Sequence, residues 1–298
     1  MLIVHVVGGL GNQLYCYAMY LMLQKRGLNV KLDIRDYLEG ARNPEWRRLE
    51  LLQCVKVQPE IASEEECYAV LDNKQSFWSK VRRKLFGCRT VLLEEKQEYD
   101  PDLFLKTKGY LDGYWNCDGY YQNDYELLQD AICFPKSKNP ANEELADRLL
   151  SENAVTVHLR RTDYLNPSCI DRYRDICTKE YYQKAISYVK QLDPTAKFYI
   201  FSDDKVFAKE YFGDEDGFSF VDWNQDEDSM FDCMLMSKCK YHICANSTFS
   251  MWGARLSTRE GKVMIRPLKN DNYESFTIEQ RHLLWKNWIL IDEQGNLV

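Results

Sequence analysis

Hydrophobic and polar residues alternate along the chain in blocks that predict strands and helices in turn. Residues 2–7 are apolar except for His5 and predict a buried strand. The turn Gly8-Gly9-Leu10-Gly11 leads into a segment with apolar residues at helical spacing, and Gly27 ends this predicted helix. Residues 30–33 predict a second strand. The chain therefore opens with a β-α-β unit.

The segment that follows is less periodic. It predicts helices at residues 64–70 and 77–85, strands at 91–93 and 109–115, and a helix at 124–131. Residues 134–140 then place two prolines among polar residues, which is typical of a domain boundary. We expect an N-terminal domain of residues 1–137 and a C-terminal domain of residues 138–298.

The second half alternates strand and helix regularly. Strands are predicted at residues 154–159, 197–201, 218–221, 241–244 and 262–265. Helices are predicted from 142, at 178–192, from 226, from about 247, and at 278–288. This rhythm predicts an α/β fold with a parallel sheet and helices on both faces. Ligands of such sheets bind where the strands end.

Composition restricts the partners and the compartment. A net charge of -7 and a pI near 5.3 argue against general nucleic-acid binding, which needs a basic face. The 11 cysteines form no Cys-x-x-Cys pair, so we expect reduced thiols and no metal. The N-terminus has no basic leader, and no apolar run is long enough to span a bilayer. We expect a soluble cytoplasmic protein.

Four unusual segments follow predicted strands. The most informative is residues 158–164, His-Leu-Arg-Arg-Thr-Asp-Tyr, which ends the strand at 154–159. The adjacent Arg160 and Arg161 bring two permanent cations to one loop, and the phosphates of a nucleotide sugar fit such a pair. The other three segments are residues 8–13, 202–204 and 246–250.

Each of these three segments also has an alternative interpretation. The glycine turn can bind an anion at a helix start, can be a tight turn without a ligand, or can belong to a nicotinamide-binding Rossmann domain with Asp33 on the ribose. The third glycine of that fingerprint is missing because Leu14 stands there. Ser202-Asp203-Asp204 can bind ribose or guanine, or cap a helix. Residues 246–250 can bind an anion or cap a helix.

The acidic runs Asp214-Glu215-Asp216 and Asp226-Glu227-Asp228 have the spacing of Asp-x-Asp metal ligands. Both lie in predicted polar loops or at a helix start, where solvated or capping carboxylates are common. Cys233, Cys239, His242 and Cys244 match no common zinc spacing. We expect no metal at any of them.

In order along the chain, the four segments resemble glycosyltransferase family 11, the inverting α-1,2-fucosyltransferases. That family shows Gly-Gly-Leu-Gly-Asn-Gln-Leu, His-x-Arg-Arg-x-Asp, Ser-Asp-Asp, and Asn-Ser-[Ser/Thr]-Phe-Ser ending in Trp-Gly-Ala. Residues 8–14, 158–163, 202–204 and 246–254 match these in turn. The resemblance implies a GT-B architecture, with two Rossmann-like domains whose parallel sheets face each other across a cleft.

The resemblance also implies a reaction and its partners. The donor would be GDP-β-L-fucose and the acceptor the 2-hydroxyl of a galactose-terminated oligosaccharide or lipid-linked glycan, as in O-antigen synthesis. Transfer would invert the anomeric centre and need no cofactor or metal. The first domain would lie on the acceptor side, and the second would bind the donor.

Residue roles follow from the same resemblance. Arg160 and Arg161 would hold the pyrophosphate, while His158 and Asp163 would order their loop. The candidate catalytic residues are these four and Asn12. The remaining candidate donor-binding residues are Gly9, Gly11, Ser202, Asp203, Asp204, Asn246, Ser247, Thr248, Phe249 and Ser250. No general base stands out, because His158 and Asp163 are equally suited to orienting the arginines.

The chain departs from the family pattern at several positions. Thr162 stands where glycine is usual after the arginines, and Met251 replaces a tryptophan. Tyr15 and Cys16 replace the commoner Phe and Gln. Asn116-Cys117 replaces a more usual Gln-Ser in the acceptor-side domain, which leaves the acceptor and the linkage open.

Residues 77–86 form a predicted helix with Phe77, Trp78, Val81 and Leu85 on one face and basic residues beside it. Such a helix can lie on the inner face of an anionic membrane. A helix packed against the core is the commoner alternative. Two other functional classes also stay open: a nucleotide- or glycan-binding module, and an NAD(P)-dependent oxidoreductase.

Overall fold

The computed structural model describes residues 1–38, 48–71, 77–86, 91–94, 98–213 and 217–298. The chain divides into two compact units, Met1–Cys133 and Phe134–Val298. Residues 134–137, which the sequence analysis assigns to the first domain, lie with the second unit. Each unit is built on one parallel sheet, which confirms the predicted α/β class.

The first unit contains the strands β1 (Leu2–His5), β2 (Val30–Asp33), β3 (Val91–Leu93) and β4 (Gly109–Asp112). Its helices are α1 (Leu10–Lys25), α2 (Arg35–Leu38), α3 (Glu64–Leu71), α4 (Phe77–Phe86) and α5 (Tyr125–Ala131). The strand order is β2-β1-β4-β3. Helix α1 is buried along most of its length because its sequence is apolar on nearly every side.

The second unit contains the strands β5 (Ala154–Leu159), β6 (Lys197–Ser202), β7 (Phe218–Val221), β8 (Tyr241–Ile243), β9 (Val263–Pro267) and β10 (Trp288–Ile291). Its helices are α6 (Pro140–Ser151), α7 (Ile170–Tyr173), α8 (Lys179–Leu192), α9 (Lys205–Phe212), α10 (Met230–Met236), α11 (Thr248–Leu256) and α12 (Ile278–Leu284). The strand order is β10-β9-β8-β5-β6-β7. Every residue of β5 is buried, as expected of a central parallel strand.

Close packing holds α11 against α10. A Cβ atom on Gly253 would lie 2.6 Å from the Met236 Cβ, so only glycine lets the two helices approach this closely. The N-terminus of α11 carries the segment at residues 248–250. The glycine therefore helps to fix that segment relative to the sheet.

Several predicted elements differ from the structure. The last predicted helix ends at Leu284, and Trp288–Ile291 forms β10 beside β9, because Asn287 has a positive φ of 69° and its apolar successors pair with Met264–Pro267. The strand predicted at 109–115 ends at Asp112. The helix predicted from Asp226 starts as a 3-10 turn, Asp226–Ser229. No helix in the described part of the chain is long and apolar enough to cross a membrane.

Candidate active site

Three of the four unusual segments lie at one edge of the second sheet. Strands β8, β5 and β6 are neighbours, with Leu159 opposite Ser202 and Val157 opposite Ile243. Because these strands are parallel, the loops that follow them leave the sheet at the same edge. The structure thus brings residues 160–164, 203–204 and 244–250 to the carboxyl edge of the second sheet.

Arg160 is held by two carboxylates. Its Nε and Nη2 donate to the two oxygens of Asp163 at 2.8 and 2.7 Å. Nε also lies 3.2 Å from Asp203 Oδ2. Paired hydrogen bonds of this kind fix the plane of a guanidinium. Arg160 therefore contributes a positive charge of defined orientation.

Arg161 is less engaged by the protein. Its guanidinium carbon lies 3.6 Å from the Phe207 ring centroid, and its Nε lies 3.3 Å from Asp204 Oδ2. Among the described residues, no acceptor forms a hydrogen bond with this Nε. The side chain is 35% exposed. Arg161 is thus positioned by stacking, which leaves guanidinium donors for a ligand.

Asp203 shapes the loop that carries both arginines. Its carboxylate accepts hydrogen bonds from the backbone N–H groups of Arg161 and Thr162, at 2.9 and 3.1 Å, and from Thr162 Oγ1 at 2.5 Å. Asp204 instead caps α9 by accepting from Phe207 N at 3.0 Å. Ser202 Oγ accepts from Asp204 N at 3.0 Å. For Asp204, the capping alternative is the one seen in the structure.

His158 lies beneath the arginine loop, 4% exposed, with its ring centroid 5.9 Å from that of Phe249. Burial, together with the smaller effect of the neighbouring charge of Arg160, lowers the pKa of His158 to about 4. The imidazole is therefore neutral at pH 7 and a weak base. Its position fits the ordering role that the family resemblance implies.

The depressed pKa of His158 predicts a pH dependence of stability. Unfolding returns the pKa of His158 to its ordinary value. Between pH 6.5 and about 4, the imidazole is therefore protonated in the unfolded chain but stays neutral in the folded chain. We expect His158→Phe to gain stability relative to the parent protein on acidification through this window, by roughly 1.4 kcal/mol per pH unit. Urea unfolding at several pH values measures the difference. His282→Phe, at an exposed position of α12, is the control; equal slopes for the parent and His158→Phe would contradict the prediction.

The segment at residues 246–250 combines buried polar side chains with a helix start that has no side-chain cap. Asn246 Nδ2 donates to Asn270 O at 2.9 Å, and Asn246 O accepts from Tyr164 Oη at 2.8 Å, which ties this loop to the arginine loop. Ser250 is fully buried and donates to Ser247 O at 3.3 Å. Ser247 is the N-cap of α11 and makes no side-chain capping bond. Thr248 and Phe249 are half-buried.

The glycine turn lies in the first unit, between β1 and α1. Gly8 has a φ of 73°, and a Cβ there would lie 2.5 Å from Asn12 Nδ2. Gln13 is fully buried. Its Nε2 donates to Gly8 O and Arg48 O at 2.9 and 2.7 Å, and its Oε1 accepts from Glu50 N and Leu51 N, both at 3.0 Å. Gly9 is the N-cap of α1, with Gly11 and Asn12 in its first turn.

Asp33 does not match the ribose ligand of a nicotinamide-binding domain. It is 1% exposed, and its carboxylate accepts from Arg35 Nε and Nη2 at 2.9 and 2.7 Å and from Tyr110 Oη at 2.7 Å. Burial alone raises the pKa of Asp33, but the hydrogen bonds from Arg35 and Tyr110 outweigh it and hold the pKa at about 2. Its acceptor capacity is thus used within the protein.

Asp232 is a candidate site residue that the sequence analysis did not identify. It lies in α10, and its Oδ1 accepts from Asn224 Nδ2 at 2.8 Å. Lys205, the residue after Asp204, donates to Asn224 O at 3.0 Å. Burial raises the pKa of Asp232 to about 7, although Asn224 and Lys205 oppose the rise. The available signal was a carboxylate inside the apolar run Met-Phe-Asp-Cys-Met-Leu-Met.

The carboxyl edge of the first sheet carries a second group that was missed. His5 Nδ1 lies 2.9 Å from Asp112 Oδ1, and His5 Nε2 lies 3.0 Å from Asp36 Oδ2. The two carboxylates are 44% and 48% exposed. His5 thus links Asp36, which lies just after β2, to Asp112, the last residue of β4. A histidine at the end of an otherwise apolar strand was the available signal.

No three His, Cys, Asp or Glu side chains within the described ranges form a metal-binding group. Residues 214–216 lie outside the described residues. Asp226–Ser229 is a short 3-10 helix that precedes α10. Burial raises the pKa of Cys239 and of Cys244 to about 12, so both thiols stay protonated at neutral pH.

The chain matches known proteins over most of its length. The model of glycosyl transferase family 11 matches residues 105–292. The chain belongs to glycosyltransferase family 11. This family-11 chain is 30% identical to an α-1,2-colitosyltransferase of Escherichia coli, covering 89% of this chain and 90% of that protein. It is 31% identical to the O-antigen biosynthesis glycosyltransferase WbnK of Escherichia coli, covering 88% and 92%.

The fold of the family-11 chain also matches solved structures. The NodZ α-1,6-fucosyltransferase co-crystallised with GDP superposes with a TM-score of 0.51, covering 100% of this chain and 96% of that chain at 15% identity. At this identity the likeness concerns the fold, which is of the predicted GT-B class. Family membership confirms the expected glycosyltransferase class, and the contacts of Asp33 agree with it.

Proposed function

We propose that this chain transfers L-fucose from GDP-β-L-fucose to the 2-hydroxyl of a galactose-terminated glycan, with inversion and without a metal. Membership of family 11 supports fucosyl-type transfer. The relatives named for α-1,2 transfer and for O-antigen biosynthesis support the linkage and the pathway class. We further propose that the reaction takes place on the cytoplasmic side of the membrane.

The observation that carries the proposal is the arginine pair at the carboxyl edge of the second sheet. Negative charge grows on GDP as the bond to fucose breaks, and fixed cations stabilise that charge. Arg160 is oriented by Asp163, while Arg161 keeps donors for a ligand. Two guanidiniums can supply the positive charge that a metal ion supplies in other sugar transferases.

The surrounding residues have supporting roles in this mechanism. Asp163 and Asp203 position the arginines through hydrogen bonds, and the neutral His158 packs below them. We assign these three as positioning residues. Ser247 and Thr248 open α11, where backbone N–H groups favour phosphate.

The nucleoside and acceptor sites are assigned on chemical grounds. The carboxylate of Asp232, with Ser202 and Asp204 on the neighbouring loop, provides acceptors for the N–H groups of guanine or the ribose hydroxyls. We assign the acceptor to the first unit, Met1–Cys133, where Asn12 beside the glycine turn would position the attacking hydroxyl. An oxocarbenium-like transition state lowers the demand for a strong base.

A second donor is favoured by one relative. The α-1,2-colitosyltransferase covers nearly the whole chain. Colitose is a deoxy sugar with one hydroxyl fewer than fucose, so the same phosphate contacts serve either donor. The sugar pocket alone would decide between them.

Mass spectrometry of reaction products tests the proposal. The protein is incubated with GDP-fucose or GDP-colitose and a panel of galactosides, with and without EDTA. We expect one added fucose residue at the galactose 2-position, α-configured by NMR and unaffected by EDTA. A product only from GDP-colitose would assign the second donor, and binding of GDP without any product would indicate a nucleotide-binding module instead.

A further inference from the structure

Helix α4 (Phe77–Phe86) exposes large apolar side chains. Phe77, Trp78, Leu85 and Phe86 are 71%, 78%, 69% and 61% exposed. None of the described α4 side chains is buried. The core-packed alternative for this helix is therefore wrong.

Phe77, Trp78 and Leu85 belong to one side of α4, whereas Phe86 lies about half a turn away from Phe77. Phe77, Val81 and Leu85 are spaced four apart, so they follow one another along one side of the helix, with Trp78 beside them. The Phe77 and Trp78 rings meet edge to face, 5.6 Å between centroids. Aromatic and leucine side chains on one side of a helix are typical of helices that lie in a membrane interface.

Charge identifies the surface that this helix fits. Lys80, Arg82, Arg83 and Lys84 give α4 four basic residues and no acidic one, on a chain whose net charge is -7. Lys80 and Lys84 are exposed next to the apolar residues. An anionic bilayer attracts the lysines and accepts the aromatic rings.

We propose that α4 docks the enzyme on the surface of an anionic phospholipid membrane. Phe77, Trp78 and Leu85 enter the interface, and Lys80 and Lys84 reach the lipid headgroups. Helix α4 belongs to the first unit and the arginine loop to the second, and docking through α4 needs no bound donor. It holds whether or not the proposed fucosyl transfer is correct.

Vesicle cosedimentation tests the proposal with the full-length protein. Vesicles of phosphatidylcholine mixed with phosphatidylglycerol are compared with vesicles of phosphatidylcholine alone. We expect binding to the anionic vesicles that weakens with added salt. Each lysine removed is expected to weaken binding about fivefold, so Lys80→Glu combined with Lys84→Glu is expected to weaken it at least 25-fold. Phe77→Ser combined with Trp78→Ser is expected to weaken it at least tenfold.

A matched control separates the helix from overall charge. Lys136→Glu combined with Lys138→Glu makes the same change of net charge at exposed positions outside α4. This control is expected to bind like the parent, and all variants are expected to retain activity on a water-soluble acceptor. Equal loss in the control pair, or no preference of the parent for anionic vesicles, would overturn the proposal. Quenching of Trp78 by brominated lipid, abolished in Trp78→Phe, gives a second measurement on an undisturbed fold.

Discussion

Replacing Arg161 with alanine is expected to lower the rate of the proposed fucosyl transfer about a thousandfold while the protein stays folded. The guanidinium lies over Phe207, and its ion pair with Asp204, at 3.3 Å, is partly exposed. Its donors are available to the leaving GDP, on which negative charge develops in the transition state. The loss should therefore fall mainly on kcat. Steady-state kinetics with GDP-fucose, together with thermal unfolding, measure both effects.

Two further arginine variants make this test specific. Arg161→Lys keeps the charge but loses the planar pair of donors, and we expect an intermediate rate. Arg174→Ala removes a guanidinium that is 58% exposed in surface ion pairs, and we expect no change. Near-normal kcat in a folded Arg161→Ala protein would refute the assigned role.

Asp203→Ala is expected to lower kcat/KM about a hundredfold, because the arginine loop loses its anchor. The backbone N–H groups of Arg161 and Thr162 lose their carboxylate acceptor, and Arg160 keeps only Asp163. We expect weaker GDP binding and a loss of about 2 kcal/mol in unfolding free energy. Calorimetric titration with GDP and urea unfolding measure the two effects.

Asp222→Ala is the matched control. Asp222 follows β7 at the same edge of the sheet, and its carboxylate pairs with Lys209 in a contact where both side chains are exposed. We expect its loss to change GDP binding and stability little. If Asp222→Ala weakened GDP binding as much as Asp203→Ala, the effect would come from the loss of a negative charge at the carboxyl edge of the second sheet. It would then not come from a changed conformation of the arginine loop.

The hydrophobic pattern predicted most elements of the second unit because parallel strands are continuous apolar runs between turn residues. The strands at 154–159 and 218–221 have the predicted bounds. Strand β10 was missed because the predicted helix at 278–288 includes Trp288 and no element was predicted after it. The strand is defined by its pairing with β9, and such pairing joins residues far apart in sequence.

The candidate site was predictable in its residue types but not in its contacts. Arg160 and Arg161 are visible in the sequence, and the parallel sheet predicts that the loops after β5 and β6 are neighbours. That Asp203 accepts from the backbone of the arginine loop, 42 residues earlier, depends on a loop conformation that no periodicity encodes. Asp232 was overlooked for a related reason, since its importance comes from Asn224 and Lys205 brought beside it by the fold.

The side-chain amide of Gln13 forms four hydrogen bonds with backbone groups. It offers two donors and two acceptor lone pairs, and Gly8, Arg48, Glu50 and Leu51 use all of them. Glutamate could not donate to the two carbonyls, and asparagine is one methylene too short to reach the same partners. Within the Gly-Leu-Gly-Asn-Gln run, the glutamine therefore joins separate chain segments, and its amide group has no donor or acceptor left for a ligand.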